Sequence, residues 1–300
     1  MIRLFELAGW ILGGLPTLLV TAVARLAGKL AFELMGKVRR NTIANMSVVL
    51  GRPGTDPVVK ALARESVAQY AEHSIDLLRF HQDSRSDLRR RVKSIEGWEN
   101  VVVARKLKRG GIFVTAHFGN WDVAGATVAF DYPLTVIQET FSNPEANELL
   151  RRVRADKNVN AVQLGNAARP ALRALRRNEY LGVVADRPTP GEGVEVSFFG
   201  RRTYVPAGTA KLAIRTGAPI VVGGAIRNPD QTYSAVAYPP IYTDGERSPN
   251  ANVEGITQAV MSNIEAMIRR RPDQWYMFRP MWPKHLNPQN AVGRSASSPA

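Results

Sequence analysis

One short segment of the chain contains the residue types needed for general base catalysis. In VTAHFGNWDVAG, residues 114–125, an apolar run ends at His117, and a carboxylate follows five positions later at Asp122. A carboxylate on one imidazole nitrogen fixes the tautomer and stabilises the imidazolium, which leaves the other nitrogen to take a proton from a hydroxyl group. The alternative is a structural histidine with an aspartate that only complements a helix dipole.

The geometry of this pair depends on where the next helix begins. Residues five apart lie about 140° apart on a helix, so His117 and Asp122 cannot share one face of a continuous helix. Asn120 is a good N-cap, which would place Trp121 and Asp122 in the first helical turn. His117 would then lie in the preceding loop, and Asp122 is expected to reach back to it.

The segments around this motif alternate between strand-like and helix-like patterns. Residues 112–115, IFVT, indicate a buried strand that leads directly to His117. The other predicted strands are 134–137, 161–164, 180–185, 194–199, 219–226 and 233–238. The predicted helices are 61–80, 98–107, 123–130, 144–157, 169–177, 207–215 and 253–270. This alternation is typical of an α/β fold with a mixed, largely parallel sheet flanked by helices.

The N-terminal region differs in composition from the rest of the chain. Residues 7–24, LAGWILGGLPTLLVTAVA, carry no charge, and basic residues follow up to residue 40. As one helix this run would be about 27 Å long, slightly less than a bilayer core of about 30 Å. We predict a membrane-attached helix or helical hairpin at residues 1–40, with a buried core helix as the alternative. Residues 41–286 are expected to form the α/β domain, and residues 287–300 a disordered tail.

The composition excludes some chemistries and favours anionic partners. The chain has 300 residues, a formal charge of +14 and no cysteine, which rules out disulfides, thiolate metal sites and a cysteine nucleophile. The positive charge attracts nucleic acid, an acidic membrane surface or a phosphorylated small molecule. The four histidines fit no zinc spacing, so no metal is expected. No GxSxG, Walker A or GxGxxG pattern occurs, which argues against hydrolase, nucleotide-phosphate and dinucleotide sites.

Six motifs follow one another along the chain. In order they are EGWENVVVARKLKRGG, HFGNWD, TFSNPEANELLRRVR, VADRP, GVEVSFFGRRTYVPAGTAKLA and PDQWYMFRPMW. This ordered set resembles the lipid A biosynthesis lauroyl/myristoyl acyltransferase family, within the lysophospholipid acyltransferase-like superfamily. The likeness extends from the basic N-terminal region to about Trp282. The family also contains the phosphatidylinositol mannoside acyltransferases of actinobacteria.

Departures from the family pattern bear on the acceptor. Most lipid A members have glutamate at the position of Asp122, whereas the mannoside-acylating branch resembles this chain in having aspartate there. That branch is also similar in the glutamate of GVEV, residues 193–196. The Glu-Gly-Thr-Arg block of glycerol-phosphate acyltransferases is missing. The resemblance therefore implies a glycolipid acceptor that is phosphatidylinositol mannoside-like or lipid A-like.

The resemblance implies a membrane-associated O-acyltransferase at the cytoplasmic face of the plasma (inner) membrane. It would move a fatty acyl chain from acyl-CoA or acyl carrier protein to a hydroxyl of a membrane lipid, with His117 as general base and Asp122 as its partner. No cofactor and no nucleic-acid partner are expected, and an anionic membrane surface is expected to bind the chain. The alternative is a non-catalytic basic protein that binds lipid or nucleic acid.

Four further residues are candidates for the site. Asp186 ends a predicted strand at the carboxyl end of the sheet, where ligands bind in open α/β folds, or it caps the turn that follows. Arg154 and Arg187 could bind the acceptor phosphate or the donor pyrophosphate, or be surface charges. In the family, the acidic residue at the position of Glu195 lies in the active site, which implies that it orients His117 or contacts the acceptor. The alternative is a salt-bridged glutamate on an edge strand.

The remaining candidates flank these residues. Gly119 and Asn120, inside the HFGNWD motif, are candidate substrate-binding residues, and Gly119 is expected to leave room for the substrate. Trp275, Phe278 and Trp282 could line an acyl channel or belong to the core.

Overall fold

The computed structural model describes residues 14–80, 83–139, 143–189, 192–244 and 251–282. Residues 7–13 of the uncharged segment and the tail predicted at 287–300 lie outside these ranges. The described helices are α1 (Thr17–Leu34), α2 (Gly36–Leu50), α3 (Pro57–Arg79), α4 (Arg85–Arg91), α5 (Trp98–Lys106), α6 (Trp121–Ala129), α7 (Pro144–Ala155), α8 (Ala168–Arg176), α9 (Gly208–Thr216) and α10 (Val253–Arg270). Short 3₁₀ turns cover Leu164–Asn166 and Pro272–Gln274.

Nine strands form one large sheet and one hairpin in the described part of the chain. They are β1 (Val92–Glu96), β2 (Gly111–Thr115), β3 (Leu134–Gln138), β4 (Val159–Gln163), β5 (Tyr180–Val184), β6 (Val194–Phe198), β7 (Arg201–Val205), β8 (Ile220–Arg227) and β9 (Tyr233–Ala237). The large sheet has the order β1-β9-β8-β2-β5-β3-β4. All its neighbouring strands are parallel except β8 and β9. The predicted mixed, largely parallel sheet with flanking helices is confirmed.

The strand predicted at 194–199 does not join the large sheet. It forms β6, which pairs antiparallel with β7 alone. The turn between them, Phe199-Gly200, has positive φ at both residues, the conformation that connects two-residue hairpins. Buried and exposed residues alternate along β6, so its apolar side packs inward while Glu195 on the other side is exposed.

Side chains of the large sheet point alternately into two cores. Ile112 and Val114 of β2 pack with residues of α3, α8, α9 and α10, whereas Phe113 packs with residues of α5, α6 and α7. This period of two is the signature of a strand buried on both faces. The helices therefore cover both faces of the sheet and leave its carboxyl edge for loops.

The first helix in the described part of the chain begins inside the uncharged segment. Pro16 is its N-cap, and α1 runs from Thr17 through Arg25 and Lys29 to Leu34 rather than ending at Ala24. One face of α1 is buried against α3, where a Cβ atom on Gly28 would lie 2.7 Å from the Cα atom of Ala68. The opposite face is apolar and exposed. Among the described residues, no helix combines the length and hydropathy needed to cross a bilayer.

Candidate active site

His117 lies in the turn between β2 and α6, at the carboxyl edge of the large sheet. Two neighbouring amides fix this turn from opposite sides. The Asn120 amide donates to the Ala225 carbonyl of β8 at 2.9 Å, and the Gly119 amide donates to the Gln274 carbonyl at 2.9 Å. The turn is thus held between β8 and the segment that follows α10.

Packing against β8 requires a glycine at position 119. Its φ is +57°, a left-handed conformation, and a Cβ atom there would lie 2.0 Å from the Ala225 carbonyl oxygen. The space that a side chain at this position would fill is therefore occupied by β8, and the role of Gly119 in substrate binding stays a prediction.

Asn120 is the N-cap of α6, as the sequence predicted. Its Oδ1 accepts a hydrogen bond from the Val123 amide at 3.0 Å. Its Nδ2 donates to Asp76 and to the Tyr233 hydroxyl, each at 3.1 Å. The residue is 1% exposed. Because its amide group is fully used inside the protein, the structure does not offer Asn120 for direct substrate contact.

The carboxylate that contacts His117 belongs to Asp186, directly after β5. His117 Nδ1 lies 2.7 Å from Asp186 Oδ1, and the His117 amide donates to Asp186 Oδ2 at 3.1 Å. β5 is the direct neighbour of β2 in the sheet, which brings the two residues together. With Nδ1–H donating to Asp186, Nε2 is the nitrogen that can accept a proton. The His117 side chain is 20% exposed and Asp186 is 0% exposed.

The surroundings of Asp186 keep it ionised. Burial opposes the charge, but the nearby His117 and the hydrogen bonds from its ring and amide and from Trp275 outweigh burial and hold the pKa of Asp186 below its ordinary value. The indole Nε1 of Trp275 donates to Asp186 Oδ2 at 2.9 Å. A buried carboxylate with three donors can orient an imidazole and stabilise its protonated form.

Asp122 points away from His117 and binds an arginine of α7. Arg154 Nε donates to Asp122 Oδ1 at 2.8 Å, and Arg154 Nη1 donates to the Gln138 side chain at 2.9 Å. The expected contact between Asp122 and His117 is therefore corrected, since Asp186 occupies that place. The physical reason is that the first turn of α6 faces α7, whereas His117 faces β5.

Arg187 pairs with an acidic residue that the sequence analysis did not select. Its guanidinium forms an ion pair with Glu139, which directly follows β3. The hydrogen bond from Arg187 is the main cause that lowers the pKa of Glu139, and the nearby charges of Arg279 and His117 act in the same direction. Arg187 and Glu139 are partly exposed, so this pair lies on the open side of the site.

Glu195 has partners of its own on the hairpin. The Tyr204 hydroxyl donates to Glu195 Oε2 at 2.9 Å, and Arg202 lies 3.4 Å away as an ion-pair partner. The Glu195 side chain is 43% exposed. No hydrogen bond joins it to His117 in the described part of the chain, so its role in the site stays a prediction.

An aromatic cluster supports Asp186 from the core side. Phe198 of β6 packs against Trp275 and Trp282 with ring centroids 5.9 Å and 5.7 Å apart. Trp275 is 1% exposed and belongs to the core. The FFG and QWY motifs are distant in sequence and adjacent in the structure, and together they place the indole that donates to Asp186.

Gln138 and Glu139 are the site residues that sequence reasoning missed. They follow the strand predicted at 134–137, at the same edge of the sheet as His117 and Asp186. Asp186 was predicted because polar residues at the carboxyl ends of parallel strands meet at one edge of the sheet. The same reasoning applies to Gln138 and Glu139.

Comparison with known proteins identifies the family. A family model described as bacterial lipid A biosynthesis acyltransferase matches residues 2–284. A phosphatidylinositol mannoside acyltransferase of Mycolicibacterium smegmatis is 29% identical over 243 residues, which is 79% of this chain and 77% of that protein. A protein of the same name from Mycobacterium tuberculosis is 27% identical over 248 residues, 79% of this chain and 75% of the relative. Since the match spans nearly the whole chain and includes the His117 turn, the chain belongs to the bacterial lipid A biosynthesis acyltransferase family and is an acyltransferase.

Proposed function

We propose that this acyltransferase moves a fatty acyl chain from an acyl thioester to a hydroxyl of a glycolipid, with a phosphatidylinositol mannoside-like acceptor. The observation that carries the mechanism is the hydrogen bond between His117 and the buried Asp186 at the open edge of the sheet. The names of the two relatives and the aspartate at position 122, as in the mannoside-acylating branch, support the choice of acceptor.

In the proposed reaction His117 acts as general base. Its Nε2 takes the proton of the acceptor hydroxyl while the oxygen attacks the thioester carbonyl carbon. The C–S bond then breaks, and the imidazolium returns its proton to the leaving thiolate. Asp186 holds the ring and stabilises its charge throughout. The acyl group passes directly between substrates, so this chemistry needs no acyl-enzyme.

Arg154 is suited to bind an anionic part of a substrate. Asp122 and Gln138 hold two of its nitrogens, and no described residue accepts a hydrogen bond from Nη2. The side chain is 13% exposed, so the guanidinium is fixed in place. A fixed guanidinium presents its remaining donors to phosphate at low entropic cost. We assign it the phosphate of the acceptor or of the donor, with Asp122 as its support.

The exposed face of α1 is the proposed membrane-contacting surface. Its side chains are between 52% and 83% exposed and comprise Leu18, Leu19, Val23, Leu26, Leu30 and Leu34. We call these residues the outer face of α1. They lie opposite the buried residues Val20, Ala24 and Phe32. The other face of α1 packs on the protein, so this contiguous apolar face is free to contact a membrane. Such a face is suited to insert at the boundary between the lipid headgroups and the acyl chains.

Basic residues next to α1 fit attachment to an anionic leaflet. Lys37 and Arg40 are exposed just after the helix, and no described residue forms an ion pair with either. Each cation close to such a surface adds about 1 kcal/mol of attraction. We place the protein at the cytoplasmic face of the plasma membrane, where acyl-CoA or acyl carrier protein would supply the acyl group.

The proposal is tested by assaying acyl transfer with purified protein. Vesicles carrying either phosphatidylinositol mannosides or a lipid A precursor are incubated with acyl-CoA or with acyl carrier protein, and the lipids are analysed by mass spectrometry. We expect an added acyl chain on the mannoside acceptor and a loss of at least about 10²-fold in rate for His117→Ala. Absence of an acylated glycolipid with every pair, or full activity of a folded His117→Ala variant, would refute the proposal.

A further inference from the structure

A buried cluster of charged and polar side chains lies behind the His117 turn. It consists of Asp76 from α3, Arg227 from the end of β8 and Tyr233 from the start of β9, and we call it the Asp76 cluster. Arg227 is 2% exposed and Tyr233 is 0% exposed. None of these residues was selected from the sequence, and none is needed for the mechanism given above.

Asp76 is the centre of this cluster. Its Oδ2 accepts hydrogen bonds from Arg227 Nη2 and from the Tyr233 hydroxyl. Arg227 Nη1 also donates to the Tyr233 hydroxyl at 3.0 Å. Arg227 and the hydrogen bond from Tyr233 help to hold the pKa of Asp76 below its ordinary value even though burial opposes it. The carboxylate is therefore charged, and its Oδ2 atom is the common acceptor of the cluster.

The cluster binds the His117 turn at two places. Directly, Asp76 and Tyr233 each accept a hydrogen bond from Asn120 Nδ2 at 3.1 Å. Indirectly, the Arg227 backbone exchanges two hydrogen bonds with the Gln274 side chain, at 2.9 Å and 2.8 Å. The Gln274 carbonyl then accepts the hydrogen bond from Gly119.

A buried ion pair of this kind needs a reason other than stability. Removing charges from water costs several kcal/mol each, and replacing such a pair with apolar residues is often neutral or stabilising. Unlike apolar packing, a hydrogen-bonded ion pair fixes the orientation of the groups that it contacts. Here the oriented partner is Asn120, which is three residues from His117 and caps the helix that starts there.

We propose that the Asp76 cluster positions His117 for catalysis by fixing the turn through Asn120 and Gly119. The inference rests on the proposed function of His117 as general base. Asp76, Arg227 and Tyr233 are positioning residues, since the described contacts join them to the turn and not to the imidazole. Loss of the cluster should therefore lower turnover while substrate affinity changes little.

Two tyrosine variants separate positioning from stability. Tyr233→Phe removes the hydroxyl that contacts Asn120 and keeps the buried ring. Tyr180→Phe is the matched control, because Tyr180 is also 0% exposed and its hydroxyl donates to the Val101 carbonyl. Tyr180 begins β5, six residues before Asp186, so it lies about 20 Å from the site along the strand.

The expected result is a split between kcat and KM. Tyr233→Phe should lower kcat by about 10- to 100-fold and leave KM within about twofold of the wild-type value. A loss of this size is expected when a catalytic group is displaced by up to about 1 Å. Tyr180→Phe, which also removes a buried hydroxyl, should keep kcat, and thermal unfolding of both variants measures the stability that each loses. Asn120→Ser, which keeps an N-cap oxygen but cannot reach the cluster, should reproduce the loss of kcat.

A second readout does not depend on activity. The ring ¹⁵N chemical shifts of His117 report its hydrogen bond to Asp186, and they should change in Tyr233→Phe and Asn120→Ser but not in Tyr180→Phe. Unchanged His117 shifts in both variants, or equal kcat for Tyr233→Phe and Tyr180→Phe, would overturn the positioning role. A wild-type protein without acyl transfer would refute the proposed function, and the chemical shifts would still decide the positioning of His117.

Discussion

Asp186→Asn should remove most of the catalytic contribution of His117 while keeping the shape of the site. The asparagine Oδ1 can still accept hydrogen bonds from Trp275 and from the His117 amide, which both reach Asp186 Oδ2 in the structure. The amide nitrogen then faces His117 Nδ1 and donates to it. That hydrogen bond favours the tautomer with hydrogen on Nε2, which can no longer take a proton from the acceptor.

The size of the effect follows from these contacts. General base assistance contributes about 10²- to 10⁴-fold in rate, or about 3 to 5 kcal/mol at 1.36 kcal/mol per decade. Since Asp186 is 0% exposed and 2.7 Å from Nδ1, water cannot replace its charge. We therefore expect Asp186→Asn to lower kcat by about 10²- to 10⁴-fold, the same loss as in His117→Ala. The two losses should be similar because the two side chains act as one unit.

Asp122→Asn is the matched control for this experiment. It is also a buried aspartate changed to asparagine at the same edge of the sheet, but its partner is Arg154. The side-chain oxygen of the introduced asparagine can still accept from Arg154, and only the charge is lost. Hydrogen bonds to charged groups contribute about 1.5 to 3 kcal/mol, and part of that remains. The loss should therefore appear mainly in KM for the anionic substrate, with kcat reduced by less than about tenfold.

Both variants can be measured in one assay. Release of the thiol from the thioester donor gives kcat and KM, mass spectrometry of the lipid confirms transfer, and thermal unfolding shows that each variant is folded. The double variant His117→Ala with Asp186→Asn should be no slower than His117→Ala alone. If Asp122→Asn abolished kcat while Asp186→Asn kept it, Asp122 would be the working partner of His117 and the mechanism built on Asp186 would be refuted.

Three further predictions concern the membrane surface, pH and the hairpin. Changing Leu26 and Leu30 on the outer face of α1 to serine should lower binding to anionic vesicles, whereas Leu164→Ser, at another exposed leucine, should not. Burial lowers the pKa of His73 from 6.5 to about 4, so the unfolded chain binds this proton before the folded protein does. The free energy of unfolding should therefore fall by up to about 3 kcal/mol as the pH drops from 6.5 toward 4. His73→Gln should remove most of that loss in denaturant titrations. Glu195→Gln should lower turnover with little change in melting temperature, because the side chain is 43% exposed and not part of the core.

Each of these has a result that would contradict it. Equal vesicle binding by the α1 variant and the Leu164→Ser control would remove the outer face of α1 as the membrane surface. A wild-type protein whose unfolding free energy fell no faster than that of His73→Gln between pH 6.5 and 4 would show that His73 is not buried in its neutral form. Unchanged turnover in Glu195→Gln would assign Glu195 to its surface pair with Arg202.

The sequence predicted local features of the site well because they depend on neighbouring residues. The polar residue at position 120 marks the N-cap of α6, and this fixes His117 in the loop and Asp122 in the first turn. Most strands and helices from residue 98 to 270 were likewise recognisable from their hydrophobic period, but β7 (Arg201–Val205) was not predicted. β1 was not predicted, because its residues are mostly exposed and show no apolar run.

The partners of the site residues could not be predicted in the same way. Asp186 is 69 residues from His117 in sequence, and the two meet only because β5 is the neighbour of β2. Strand order depends on how the helices pack on the two faces, which a local pattern does not specify. The Asp76 cluster is even harder to predict from sequence, because its members come into contact only when α3, β8 and β9 have all packed together.

The five-residue spacing of His117 and Asp122 separates their roles rather than bringing the two side chains together. A helix that starts between them carries the two side chains in different directions, so the histidine turns toward β5 and the aspartate toward α7. Under the proposed mechanism, this places the general base and the support of an anion-binding arginine on one short rigid turn. Any shift of the turn would move both groups together relative to the substrate. A turn with two such roles benefits from being held at both Gly119 and Asn120, which is where the Asp76 cluster and Gln274 bind it.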